Sequence, residues 1–182
     1  MAQEHAAGQG SGGLTAEGTL SYRTWTISGT IEKLRRMLLE SVPESLAEDV
    51  TEEELSSGLL TEERTGLACQ IRRDAGGEIT SVYYTETDET GGLTENTLEF
   101  LPGGNVRLTR SGALSADFDF CPGERSLTTM VTPYGNVQLS LMTTEVTIKK
   151  DPERVSVIIF YHFIEAHEEI HRVEYLIEDN GQ

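Results

Sequence analysis

Three histidines fall late in the sequence, at His162, His167 and His171. Imidazole is the side chain that most readily shares a metal or a proton near neutral pH. With Ala166-His167 as a two-residue turn, His162 and His171 face each other across a hairpin. A slip of one residue separates them. No nearby Cys or Asp completes a set of zinc ligands, so no metal is assigned. The plain alternative is one partly buried imidazole beside Phe160 and one at the rim, with His167 a solvated turn residue.

Arg110 shares parity with Val106 and Leu108. If that face points inward, the guanidinium is buried and must be paired or bind an anion. Glu86, on the segment that carries Tyr84, is its candidate partner. The functional version is a clamp for a carboxylate or phosphate; the structural version is an Arg–Glu bridge near the end of the fold. Tyr84, Tyr134 and Trp25 can line a cavity with polar tips or serve as core. Thr132-Pro133-Tyr134-Gly135 also reads as turn chemistry, because Pro presets φ and Gly accepts a positive one. There is no nucleophile elbow, P-loop or dinucleotide fingerprint, and Gly91-Gly92 and Gly103-Gly104 open no helix that would hold phosphate. Asp117 and Asp119 lie on the wet side of an alternating run and serve solubility and edge protection better than acid–base catalysis. No catalytic residue and no cofactor are assigned.

These groups must be positioned by strands. Residues 1–17 are small, polar and Gly-rich and are expected to form a disordered tail, leaving residues 18–182 as one domain. Residues 19–28 alternate, with a phase slip near Thr24 that suggests a bulge. Residues 30–57 differ: Ile31, Leu34, Met37, Leu38 and Val42 recur at helical spacing, Pro43 breaks the run, and Thr51 with Glu54 forms a capping box. Glu40 to Glu63 holds nine acids and no base, so this stretch is expected to be an acidic, partly helical insertion. From Leu67 the period becomes two, with turns at Asp74-Ala75-Gly76-Gly77, Gly91-Gly92, Pro102-Gly103-Gly104-Asn105, Pro122-Gly123 and Pro133-Tyr134-Gly135-Asn136. Leu114, Ala116, Phe118 and Phe120 alternate strictly with polar residues, while residues 155–165 are apolar on both faces.

Short links force neighbours in sequence to pair antiparallel. About ten such strands in one sheet leave two raw edges unless the sheet curls closed. The expected fold is therefore all-β, an up-and-down antiparallel β-barrel of about 8–10 strands, wide enough to be filled by side chains or to hold a small ligand.

Composition narrows the partners. The 182 residues carry 14 Lys and Arg against 31 Asp and Glu, a formal net charge of -17, which repels phosphate backbones and anionic lipid. Basic residues run no longer than pairs, as at Arg35-Arg36, Arg72-Arg73 and Lys149-Lys150, so neither nucleic acid nor a membrane is expected as partner. The start of the sequence has no basic, apolar leader pattern, and the expected compartment is the cytoplasm. Cys69 and Cys121 are expected to be reduced thiols.

Four short motifs, in order, resemble a known family. They are Tyr83-Tyr84-Thr85-Glu86-Thr87-Asp88-Glu89-Thr90-Gly91, then Leu108-Thr109-Arg110-Ser111-Gly112, then Thr132-Pro133-Tyr134-Gly135, with Thr143-Thr144 downstream. Their order and spacing resemble the YwiB-like bacterial family of unknown function, whose domain is a lipocalin-like (calycin) barrel. The resemblance covers roughly residues 58–178 and implies the same barrel here; it carries no activity to transfer. Two functions stay open ahead of a third, a small hydrolase or a metal-assisted catalyst at His162 and His171, which ranks last. One is a binding module holding a small apolar or anionic ligand in the barrel mouth, with Arg110, Tyr84, Glu86, Tyr134, His162 and His171 as candidate contacts. The other is a ligand-free interaction domain that uses the acidic insertion. A monomer and a homodimer are both compatible with the sequence.

Overall fold

Among the described residues the two-residue period is realised as ten antiparallel strands. They are β1 (Leu14–Ser28), β2 (Gly58–Arg73), β3 (Ile79–Thr87), β4 (Leu93–Leu101), β5 (Asn105–Gly112), β6 (Ala116–Phe120), β7 (Arg125–Thr132), β8 (Gly135–Asp151), β9 (Arg154–Phe163) and β10 (Glu169–Asp179). The computed structural model describes residues 14–28, 58–88, 91–112, 114–166 and 169–181. The expected acidic helical insertion, residues 30–57, lies outside the described residues.

The strands form a single sheet in the order β6-β5-β4-β3-β2-β1-β10-β9-β8-β7. Every link but one joins strands adjacent in sequence; the exception pairs β1 with β10, Gly18 opposite Asp179 and Ser28 opposite Glu169. That pairing curls the sheet until β6 and β7 meet. There the ladder is reduced to a bridge between Ser115 and Val131, whose amides donate to each other's carbonyls at 3.1 and 2.8 Å. The Ser126 hydroxyl adds a bond to the Asp119 carbonyl at 2.9 Å. The result is a nearly closed all-β barrel, with one seam.

Four residues that composition assigns to a tail are in a strand. Residues 14–17 belong to β1, with Leu14 opposite Arg73 and Glu17 opposite Gln70. Leu14 is exposed, so the segment has no buried pattern to betray it and is held by backbone pairing.

The barrel interior is built from alternating residues: Leu20 and Tyr22 on β1, Cys69 and Ile71 on β2, Val82 and Tyr84 on β3, Val155, Val157 and Ile159 on β9, Tyr175 and Ile177 on β10. Past Tyr22 the apolar residues of β1 change sides. Trp25 and Ile27 join Phe160 and Ile170 in a separate cluster on the outer face. The phase slip read at Thr24 is this change of side. The irregularity lies in the β1–β2 pairing, with register shifts between Leu20/Tyr22 and between Thr24/Trp25. β2 holds the extra residues, and Gly66 there takes a φ of 67° that β-branched residues avoid. Gly18 is needed for another reason: a Cβ there would lie 2.5 Å from the Glu178 carbonyl oxygen and 2.6 Å from Ile71 Cδ1.

Candidate functional site

Polar residues at inward positions gather toward one end of the barrel. In the β3–β4–β5 ladders Tyr84 faces Asn96 and Asn96 faces Arg110. From the far wall Tyr22 pairs with Tyr175 across β1 and β10. The space between them is a cavity of about 100 Å³. Its walls are aromatic, with Tyr22, Tyr84, Tyr161, Tyr175, Phe118 and Phe120, and its polar lining includes Thr24, Glu62, Glu86 and Arg110.

Glu86 is the hub. Its carboxylate accepts hydrogen bonds from the Tyr22 hydroxyl, from Asn96 Nδ2 at 2.9 Å and from the Arg110 guanidinium at 3.2 Å. The side chain of Glu86 is 11% exposed and that of Arg110 is 32% exposed, so the pair sits where the cavity begins to open. The bridge expected between these two residues therefore forms, and Tyr84 points inward beside it. Burial, reinforced by the Glu86 charge, pushes the Tyr22 phenol far above its ordinary value. Burial does the same to Tyr84 and Tyr175, and raises Tyr161 to about 12. All four phenols are neutral donors at physiological pH. Two atoms of this network, Arg110 Nε and Asn96 Oδ1, are buried without a hydrogen-bond partner.

The histidines do not meet. The β9–β10 register sets Tyr161, not His162, opposite His171. The connection includes a 3-10 turn over Ile164–Ala166 instead of a two-residue turn, and the pairing shifts by one. His171 faces inward, stacked on Tyr161 at 5.1 Å and edge-on to Phe163 at 5.4 Å, with Thr26 Oγ1 at 3.4 Å from its Nδ1. Burial lowers its pKa. His162 sits on the opposite face of β9, buried, and pairs with Met142 on β8. Among the described residues no three His, Cys, Asp or Glu side chains gather to hold a metal.

Tyr134 is fully exposed at the tip of the β7–β8 hairpin, where Thr132 Oγ1 bonds the Gly135 carbonyl at 2.8 Å. It belongs to the turn and does not line the cavity around Glu86. Trp25 lies on the outer face under the Arg172 guanidinium, 4.9 Å from its ring centre. Sequence reasoning missed Tyr22, Asn96, Tyr161 and Tyr175 as site residues. Asn96 carried a signal: it interrupts the inward row of Leu98, and a polar group at a buried parity demands partners.

Residues 67–177 match the family described as "Domain of unknown function (DUF1934)". The fold resembles the crystal structure of the ywiB protein from Bacillus subtilis, with a TM-score of 0.64 at 14% identity, over 91% of this chain and 93% of that one. No curated protein matches the chain. Among the described residues no helix is long and apolar enough to cross a membrane.

Proposed function

From the premise that the chain belongs to the DUF1934 family, whose description assigns no activity, we propose that it is a ligand-binding barrel that takes a compact organic cation into its aromatic end. The barrel acts as a container in the manner of lipocalins, and Tyr84, Glu86 and Arg110 are working parts of its mouth. The observation that carries this reading is the balance of the cavity lining: six aromatic rings, the two carboxylates of Glu62 and Glu86, and a single guanidinium already bonded to Glu86. Ring faces attract cations, and each such contact is worth about 0.5–2 kcal/mol depending on desolvation. An anion would meet two carboxylates whose guanidinium partners, Arg110 on Glu86 and Arg64 on Glu62, are already engaged, which disfavours the clamp version of Arg110. The volume sets the size. At about 100 Å³ the cavity lies well below the roughly 300–1,000 Å³ of drug-sized pockets, so the guest has few heavy atoms.

Isothermal titration with tetramethylammonium and with acetate tests this directly. Tetramethylammonium is expected to bind and acetate not to, with Glu62→Gln weakening the ammonium about five- to tenfold. Equal or tighter acetate binding would overturn the reading, as would an ammonium affinity that Glu62→Gln leaves unchanged. Native mass spectrometry of protein from its own cells adds the identity of any co-purifying guest and the number of chains per particle.

A further inference from the structure

Beyond the interior cavity, the outer wall of the barrel carries a groove of about 350 Å³ across β2, β1, β10 and β9. Its floor is a row that runs Ser21, Leu176, Ser156 through the ladders, with Ile158 beside it. Around it stand Arg23, Arg64 and Arg154. In a chain with 14 bases against 31 acids, three arginines lining one groove set this patch apart from the rest of the charge distribution. The three come from strands distant in sequence, which is why no basic run announces them.

We infer that this groove binds a small phosphate monoester. Arg154 is the primary anchor. It faces Glu178 in the β9–β10 ladder, yet among the described residues it takes part in no ion pair. Arg23 and Arg64 are held by Glu63 at 2.6 Å and Glu62 at 3.3 Å, but these pairs are exposed. Exposed pairs of that kind contribute about 0–1 kcal/mol and yield to a better acceptor. A phosphate offers several anionic oxygens in the geometry a guanidinium fork matches, with charge-assisted bonds roughly twice as strong as neutral ones. Glu174, the carboxylate of the groove, is engaged by Arg172. The Ser21 hydroxyl accepts the Gly66 amide at 3.0 Å, leaving its own proton to donate to an anion. The apolar floor of Leu176 and Ile158 gives the body of an ester something to cover, which free phosphate lacks.

The test is an amide-detected NMR titration of the full chain with inorganic phosphate and, separately, with phenyl phosphate at millimolar concentration. Shifts are expected to concentrate at Ser21, Arg23, Arg64 and Ser156, with phenyl phosphate the tighter probe. Arg154→Gln, at an exposed position, is expected to weaken it about tenfold, while Arg107→Gln on β5, away from the groove, leaves it unchanged. Three outcomes would overturn the inference: no shifts at these concentrations, shifts spread evenly over the surface bases, or equal losses from both variants. Inorganic phosphate binding as tightly as phenyl phosphate would assign the site to the free ion and remove the ester. The interior cavity is tested apart from this, through ammonium binding; Glu62 also pairs with Arg64, so Glu62→Gln is kept out of the phosphate titration.

Discussion

Exchanging the Glu86 carboxylate for an amide, Glu86→Gln, keeps the shape of the hub and removes its charge. Arg110 is then left half-buried opposite neutral partners. The expected loss is about 2 kcal/mol, below the roughly 3–5 kcal/mol of a fully buried broken pair because the guanidinium is part-solvated. Urea unfolding measures it, and Tyr22→Phe, which deletes the bond to the other oxygen of the same carboxylate, is expected to cost about 1 kcal/mol. The buried phenols add a pH dependence of definite sign. Below the ordinary phenol value of about 10 both folded and unfolded chains keep their protons, and this contribution to stability is fully present. Above it the unfolded chain ionises first, so stability falls as pH rises until the folded phenols follow, Tyr161 at about 12 and Tyr22, Tyr84 and Tyr175 later. A spectroscopic alkaline titration is expected to show the buried tyrosines ionising together with unfolding, in one cooperative step; independent ionisation in the folded state would contradict the packed phenol cluster. At this scale the sequence spoke unevenly. The parity of Arg110 and Glu86 was enough to pair them, because a buried cation has few alternatives. The parity of His162 and His171 was not, because their facing depended on the length of a turn that their residue types do not specify.

Among the elements, the approach of β1 to its neighbours depends on Gly18. Any Cβ there meets a carbonyl oxygen of β10, which cannot swing aside as a side chain can. Gly18→Ala is expected to cost about 1–3 kcal/mol by forcing the strands apart. Gly66 supplies the contrast, since a Cβ there meets nothing within 4 Å and only its φ of 67° resists substitution. Gly66→Asn is expected to stay within about 1 kcal/mol of the parent and Gly66→Val to lose more, read from paired thermal unfolding curves. Strand number and turn positions were legible because Gly and Pro punctuate a steady two-residue alternation. The start of β1 was not, because residues 14–17 are held through the backbone and show no apolar rhythm. The β2 irregularity left only an indirect trace, the change of side in β1.

For the whole molecule, the sheet is continuous everywhere except between β6 and β7, where the Ser115–Val131 bridge stands in for a ladder. Hydrogen exchange is expected to reflect this. Amides of β6 and β7 should exchange faster than those of β1, β10 and β9, which are paired on both sides, because local opening at a seam costs less than global unfolding. Uniform protection around the ring would indicate a fully zipped barrel. The need for closure followed from counting strands and edges; the position of the seam did not, since periodicity says nothing about which two edges fail to zip. The same arrangement gives the chain an unusual freedom. The turn at Pro122-Gly123 spans the seam, while Gly18 and Asp179 already lie side by side. A circular permutant opened in that turn, with a short linker from the end of β10 to the start of β1, would keep every ladder. Its strands would then follow one another along the backbone in the very order in which they stand in the sheet.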